Sequence, residues 1–396
     1  MMFIKPAKRT ESVQEYYFSR KLKEIAGMNA ARKAAGECPV INLGIGSPDR
    51  MPPMAAVDAL CQCAVQPDAH AYQSYVGLPE LREAFAQWYS RWYGVDLDPA
   101  SEIQPLVGSK EGILLVSLAF LDKGDKVLVP DPGYPTYSSA SRLAEAEIVP
   151  YDLKPENGWY PDFAELEKMD LSGVKIMWTN YPHMPTGAPA SETLYARLVE
   201  FGRKHNILIC NDNPYSFILN DRPLSILAQP GAKECCIELN SLSKAHNMAG
   251  WRLGMVAGDA EIISQILKVK SQMDSGMFKP LQQAAVNALA QGPEWFAQLN
   301  EEYRCRRVLA GEIFDMLGVE YDRESTGMFL WGKVGTSSGQ ALSDQILYKA
   351  GVFITPGFIF GKNGEGYIRI SLCAGQEVLK EAAERIGAAM LDEKEA

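Results

Sequence analysis

One lysine stands in a setting that could make it reactive toward an aldehyde. Lys244 follows Ser241 and Ser243 in the stretch LNSLSK, and Arg252 comes eight residues later between two glycines. A partly desolvated lysine can lose its proton and form a Schiff base with a carbonyl compound. Two hydroxyl groups and a guanidinium group suit a phosphate, which arginine can bind in a bidentate manner. Pyridoxal phosphate carries both an aldehyde and a phosphate, so these residues predict a site for that cofactor.

The same stretch resembles the signature of a known family. Residues 241–244 and 250–254 fit the pattern SxSKxxxxxGxRxG, spacer included, of the class I/II aminotransferases among the fold-type I pyridoxal phosphate enzymes. The resemblance is to the branch that holds aspartate, alanine and diaminopimelate aminotransferases. It implies an α/β fold. A large domain would have a mostly parallel sheet of the seven-stranded type flanked by helices, and a smaller α+β domain would be built from both termini.

The resemblance also implies where the domains divide. We expect an N-terminal arm and part of the small domain over residues 1–50, the large cofactor-binding domain over 51–290, and the C-terminal small domain over 291–396.

An aspartate and a tyrosine follow an apolar stretch that indicates a buried strand. The segment 205–218 is apolar up to Asp212, and Tyr215 comes three residues later. Ligands of open parallel sheets gather at the carboxyl ends of the strands, where these two residues would lie. A carboxylate here would keep the pyridine nitrogen protonated, which makes the ring an electron sink. Both residues match the family's DxxY, in which the tyrosine donates to the 3′ oxygen, although an aspartate that caps a turn is the simpler alternative.

Two further segments predict contacts to the cofactor phosphate. Gly108, Ser109 and Lys110 open an apolar helix, and the free N–H groups of a helix start bind phosphate well. These residues match the family's phosphate cradle. Tyr72 fits the family pattern YxxxxGxxxLR, whose tyrosine reaches the phosphate of the neighbouring subunit. The resemblance therefore implies a homodimer with shared active sites.

Three residues are expected around the ring and the substrate. Tyr134 lies in the stiff loop PGYPTY, where the family places the aromatic side chain that stacks on the ring. Arg369, in the stretch YIRIS, matches the family arginine that binds the substrate α-carboxylate, for which a fork of donors is suited. Gly46 matches a backbone contact to the same carboxylate.

The sequence departs from the family at one position. The family motif NPTG reads MPTG here, so Met184 replaces an asparagine that donates to the 3′ oxygen of the cofactor. A thioether cannot donate a hydrogen bond. Asn180, four residues earlier, is a candidate replacement, and a strand-end cap is its alternative role.

The elements that must position these residues can be read from periodicity. Residues 11–35 predict an amphipathic helix, and 125–153 predict strand, turn, helix and strand. Such alternation favours a parallel sheet. Helices are expected over 260–272, 279–292, 293–317 and 376–392, and small-domain strands over 327–334 and 365–373.

Composition excludes several classes of function. The chain of 396 residues has a net charge of −10, which argues against a surface for nucleic acid or an anionic membrane. No apolar run reaches transmembrane length, so we expect a cytoplasmic protein. The eight cysteines form no CxxC pair, and only four histidines are present, so no metal site is predicted.

The pattern as a whole predicts transamination. An amino group would pass from an α-amino acid to a 2-oxo acid in a ping-pong cycle through a Lys244 imine, with aspartate/glutamate- or diaminopimelate-type substrates. A lyase or decarboxylase on the same fold is the alternative, because the cofactor set is shared. A non-enzymatic sensor is disfavoured by the acidic charge.

Overall fold

The computed structural model describes residues 4–335 and 338–395 of the chain. Within these ranges the α-helices are α1 (Lys8–Glu11), α2 (Tyr17–Ala34), α3 (Met54–Ala64), α4 (Pro79–Tyr93), α5 (Ser109–Phe120), α6 (Pro135–Leu143), α7 (Phe163–Leu166), α8 (Glu192–His205), α9 (Ala260–Lys270), α10 (Lys279–Leu289), α11 (Pro293–Met316), α12 (Gly339–Ala350) and α13 (Gln376–Glu395). The strands are β1 (Ile41–Asn42), β2 (Ile103–Leu106), β3 (Lys126–Asp131), β4 (Glu147–Asp152), β5 (Val174–Thr179), β6 (Leu208–Asp212), β7 (Cys236–Ser241), β8 (Gly254–Gly258), β9 (Glu320–Tyr321), β10 (Phe329–Lys333), β11 (Val352–Phe353), β12 (Thr355–Pro356) and β13 (Tyr367–Ser371).

A seven-stranded sheet forms the centre of the larger part of the molecule. Its strand order is β2-β8-β7-β6-β5-β3-β4, and only β8 runs antiparallel to its neighbours. Helices pack on both faces, so β6 and β7 are apolar and buried along most of their length. The predicted α/β fold with a mostly parallel sheet is confirmed, including the strand–helix–strand unit over 125–153.

A second, smaller sheet lies beside the first. Its order is β12-β13-β10-β9, and all its pairs are antiparallel. The short strand β1 pairs in parallel with β11, which brings an early segment of the chain against a late one. The domain boundaries expected at residues 50 and 290 stay a prediction.

The predicted helix over 11–35 was wrong at its start. The helix α2 begins at Tyr17, because Tyr16 has an extended backbone with φ −56° and ψ 130°. The Tyr16 ring instead lies under the ammonium group of Lys110, 4.6 Å from ring centre to nitrogen. A tertiary contact therefore overrides the helical periodicity of the segment.

Among the helices that the structure describes, none has both the length and the apolar character needed to cross a bilayer.

A buried carboxylate ties the two central strands to a covering helix. Glu238 of β7 accepts hydrogen bonds from the Tyr89 hydroxyl of α4 at 2.9 Å and from the Asn211 amide of β6 at 3.0 Å. It also accepts the backbone N–H of Ile226 at 3.1 Å. Burial raises the pKa of Glu238, and the hydrogen bonds oppose that rise. This network holds β6 and β7 together next to Asp212, which ends β6.

Replacing Glu238 by leucine should destabilise the protein. Glu238→Leu leaves the Asn211 amide and the Tyr89 hydroxyl to find new partners in a buried region, which costs about 2–4 kcal/mol of unfolding free energy. Urea unfolding followed by circular dichroism measures the loss. Glu147→Leu, at an exposed position of β4, is the control and should change stability by less than about 0.5 kcal/mol. Equal losses in the two variants would contradict a structural role for the network.

Candidate active site

One cavity of about 400 Å³ opens between the two sheets. Every site residue predicted from the sequence except Tyr72 and Gly108 lines it, and these residues are Gly46, Ser109, Lys110, Tyr134, Asn180, Asp212, Tyr215, Ser241, Ser243, Lys244, Arg252 and Arg369. They come from sequence positions more than 300 residues apart. The fold therefore assembles one site from segments that are distant along the chain.

Lys244 follows β7 in the turn that leads away from the large sheet. Its ammonium group donates a hydrogen bond to the backbone oxygen of Gly46 at 2.5 Å. Burial lowers the pKa of Lys244, and the nearby positive charges of Arg369 and Arg252 lower it further, while Cys373 and Asp212 oppose the shift. A lowered pKa increases the fraction of neutral amine, which is the form that attacks a carbonyl group or accepts a proton.

Asp212 ends β6 with its carboxylate in the cavity wall. One oxygen accepts the hydroxyl of Tyr137 at 3.0 Å, and the Tyr137 ring stacks on Trp178. The other oxygen, Oδ1, is buried and has no hydrogen-bond partner among the residues that the structure describes. Burial raises the pKa of Asp212 to about 7, partly offset by the hydrogen bond from Tyr137. A cationic N–H group placed at Oδ1 would restore the charged form.

The start of α5 forms a concave surface with Arg252. Gly108 precedes the helix with φ +77°, and a Cβ atom there would lie 2.3 Å from Nη2 of Arg252. Gly254 allows the same close approach, because its Cβ would lie 2.9 Å from the backbone nitrogen of Ser109. Arg252 is held by the backbone oxygen of Ala249, to which Nη1 donates at 2.8 Å. Together with Ser241, which also lines the cavity, this surface presents hydroxyl, guanidinium and helix N–H donors to an anion.

Arg369 is a buried cation in β13. Its Nη2 donates to the backbone oxygen of Gly44 at 2.7 Å, and its Nε has no partner among the described residues. The guanidinium carbon lies 3.9 Å from the ring centre of Phe329 and 4.6 Å from that of Phe360. Burial lowers the pKa of Arg369 to about 10. The group keeps its charge at neutral pH and has donors free for a carboxylate.

Met184 contacts the same arginine. Nη1 of Arg369 lies 3.2 Å from the Met184 sulfur, at the position where the family has asparagine. Asn180 lines the cavity, but its side chain donates to the backbone oxygen of Asp212 at 2.5 Å and accepts the backbone N–H of Met184 at 2.8 Å. Asn180 thus braces the loop, and its role toward the cofactor stays a prediction.

Tyr72 is a predicted site residue whose side chain does not line the cavity. Its side chain is 91% exposed in the single chain. It stands near other exposed apolar side chains, because Gly276 packs against the backbone of Gln73, and Phe278 lies against His70. The exposed apolar residues of these two segments include Tyr75, Met273 and Phe278.

Several lining residues were missed from the sequence. Tyr16, Phe18, Phe329 and Phe360 all line the cavity. Tyr17, an immediate neighbour, instead packs edge-on against Phe358. The only local signal was the aromatic run YYF at 16–18, which helical periodicity had assigned to a helix.

Comparisons with known proteins agree with this geometry. A family model described as aminotransferase class I and II matches residues 39–386. An LL-diaminopimelate aminotransferase of Dehalococcoides mccartyi is 40% identical, over 97% of this chain and 98% of the relative. The substrate-bound BacF structure from Bacillus subtilis has a TM-score of 0.91 at 36% identity and covers 98% of both chains.

A further comparison concerns the solved structure of an enzyme that is named for a different substrate. The aromatic aminotransferase of Pyrococcus horikoshii has a TM-score of 0.85 at 31% identity, over 90% of this chain and 96% of the other. The fold and the cavity thus agree with the sequence similarity, which extends over nearly the whole chain. The chain belongs to the class I and II aminotransferases, enzymes that use pyridoxal phosphate.

Proposed function

We propose that the chain moves the amino group of an α-amino acid to a 2-oxo acid, with Lys244 as the catalytic residue. The observation that carries this proposal is the convergence in one cavity of three groups: the amine of Lys244, the unpaired oxygen of Asp212 and the buried guanidinium of Arg369. An acceptor for a ring nitrogen and a binding group for a carboxylate then lie on either side of a reactive amine.

The residues present fit pyridoxal phosphate. The unpaired Oδ1 of Asp212 is an acceptor for the protonated ring nitrogen, and the surface of Ser109, Ser241, Ser243 and Arg252 suits the phosphate. Lys110 adds a positive charge at the same helix start. Tyr134 and Tyr215 line the space between these two ends, where the first would flank the ring and the second would donate to the 3′ oxygen. When bound, the cofactor supplies an aldehyde carbon and a ring that withdraws electrons from the substrate Cα.

Lys244 is suited to move the proton that the reaction transfers. Its lowered pKa favours the neutral amine, which could take a proton from the substrate Cα and deliver it to the carbon that was the aldehyde carbon of the cofactor. The hydrogen bond to the Gly46 oxygen orients the amine without placing a negative charge beside it. Arg369 would hold the α-carboxylate, assisted by the backbone at Gly46, and the enclosing side chains would exclude water during the transfer.

The test is a panel of amino donors with 2-oxoglutarate and pyruvate as acceptors. Diaminopimelate, named in the curated relative, belongs in the panel, as do aspartate and glutamate. Exchange that depends on the 2-oxo acid supports an aminotransferase. Product release without a 2-oxo acid would indicate a lyase or decarboxylase instead, and absence of any turnover would contradict the proposal.

We further propose a homodimer with shared sites. The support is the exposure of Tyr72 beside Tyr75 and Phe278, which are also exposed, where the segments 70–75 and 276–278 meet, since exposed apolar patches often mark interfaces. A second copy would cover this surface and bring its Tyr72 to the phosphate end of the cavity. A cytoplasmic location stays a prediction.

Lys244 should carry the cofactor covalently. Borohydride reduction of the purified holoenzyme should fix the cofactor to Lys244 and remove the long-wavelength absorbance, because this lysine is the cavity amine with a lowered pKa. Peptide mapping by mass spectrometry locates the label. A label on Lys110, the other lysine of the lining, would show that the wrong residue has been assigned.

Arg369 should determine substrate affinity more than cofactor binding. Arg369→Ala should lower kcat/KM for α-amino acids by roughly 2–5 kcal/mol of transition-state stabilisation, since a buried charge pair with the carboxylate is lost. The absorbance of the bound cofactor should remain. Arg323→Ala, which removes an exposed arginine paired with Asp315, is the control and should have normal kinetics. Normal kinetics for Arg369→Ala would refute the role.

Mixed dimers should show whether the sites are shared. A Lys244→Ala chain and a Tyr72→Phe chain, each of low activity alone, should regain activity when combined, because one site then has both intact residues. Activity is measured after the two chains are unfolded and refolded together, with each chain treated alone as control. A fully active monomer in sedimentation would exclude the shared site.

A further inference from the structure

A wall of carbon-rich side chains lines the cavity toward the N-terminal helix. Phe18 and Leu22 are four residues apart in α2, so they share one face of that helix. Ile45 joins them from the loop after β1, and Phe329 and Phe360 come from the small-domain side. Sequence periodicity did not reveal this wall, because its members come from four separate segments.

The proposed anchors direct the substrate side chain toward this wall. A carboxylate at Arg369 and a nitrogen at Lys244 fix two of the groups on Cα, so the side chain must extend along the remaining lining. Aromatic rings begin at the anchor itself, since the Arg369 guanidinium lies 3.9 Å from the Phe329 ring and 5.8 Å from the Phe18 ring. The serines and the start of α5 form the proposed phosphate-binding surface of the same cavity.

Charged partners for a distal group are scarce in the described lining. Its cations are Lys110, Lys244, Arg252 and Arg369, and its one carboxylate is Asp212. Lys110 belongs to the proposed phosphate-binding surface, and its ammonium already lies 4.6 Å above the Tyr16 ring. A charged side chain would lose hydration against the wall, whereas an apolar side chain gains by leaving water.

We propose that large aliphatic and aromatic amino acids, such as leucine and phenylalanine, are amino donors of this enzyme, with Phe18 and Leu22 as residues that determine this specificity. The inference rests on the aminotransferase function proposed above and adds a class of side chain to it. Phe18 contributes a flat face next to the carboxylate anchor, and Leu22, which is partly exposed, extends the same surface by one helical turn.

The first test follows the amino-donor half-reaction of the holoenzyme, which needs no acceptor. The loss of the long-wavelength cofactor absorbance is timed with phenylalanine, leucine, alanine, glutamate and LL-diaminopimelate. The second-order rate constant for phenylalanine or leucine should exceed that for alanine at least about 10-fold, as expected when a pocket fits added apolar groups. If glutamate or diaminopimelate reacts and neither apolar donor exceeds alanine, a charged side chain bound at Lys110 replaces this proposal. Absence of reaction with every donor overturns the aminotransferase function itself, and this inference with it.

The second test changes the wall. Phe18→Ala and Leu22→Ala should each lower the ratio of the phenylalanine rate to the alanine rate about 10-fold, because alanine does not extend to the wall. Phe18→Leu, which keeps an apolar side chain, should recover part of the ratio. Leu118→Ala is the matched control, since Leu118 is 40% exposed, as is Leu22, but lies on the outside of α5. Unchanged ratios in Phe18→Ala and Leu22→Ala, with melting temperatures close to that of the unmodified enzyme, would overturn the proposal.

Discussion

Asp212 and Arg369 are buried ionisable groups that form no ion pair with each other or with any other residue that the structure describes. Burying an unpaired ion is expensive, and proteins usually avoid it. Here each group is partly compensated, Asp212 by the Tyr137 hydroxyl and Arg369 by the Gly44 oxygen and two aromatic rings. The remaining capacity of both groups faces the cavity. A bound molecule with a cationic N–H at one end and a carboxylate at the other would satisfy them together.

The two sheets contribute different parts of this arrangement. The strands β6 and β7 of the large sheet end at the cavity. The Glu238 network fixes these strands to each other and to α4. The small sheet contributes Arg369 from β13 and Phe329 from the adjacent β10, whose register pairs Phe329 with Ser371 and Trp331 with Arg369. Because the sheets are separate, the distance between ring end and carboxylate end depends on how the two pack. Within the smaller part, Arg306 of α11 binds Asp49 at 2.8 Å and the backbone oxygen of Leu372 at 3.1 Å, which fixes the segment that follows β13.

Many residues of the cavity could be predicted because they lie in short segments with recognisable sequence patterns. Asp212 follows an apolar strand, Lys244 sits in a dense motif, and Ser109 opens a helix, so each carries its own local signal. The wall of carbon-rich side chains has a weaker signal, because only Phe18 lies in a recognisable aromatic run. Phe329 and Phe360 look like ordinary core residues, and Tyr16 contacts Lys110 from a point 94 positions earlier in the chain. The start of α2 was misplaced for the same reason, because the contact that ends its periodicity is a tertiary one.

Met184 illustrates a different limit of sequence reasoning. Its identity was visible as a departure from the family, and its lack of a hydrogen-bond donor followed directly. Its contact with Arg369 could not be predicted from the sequence. In the fold the thioether sulfur accepts from Arg369, so the substitution alters the surroundings of the carboxylate anchor as well as those of the cofactor oxygen.

The order of the segments along the chain also bears on how the enzyme is made. The residues proposed to hold the cofactor within one chain lie between Ser109 and Arg252, whereas Arg369 follows more than 100 residues later. Chains fold from the N-terminus as they leave the ribosome, so the central sheet can form while β13 is still being synthesised. The strand β1 is made early but must wait for its described partner, because β11 emerges only after the central sheet. A newborn chain would thus complete its cofactor cradle well before it could hold an amino acid.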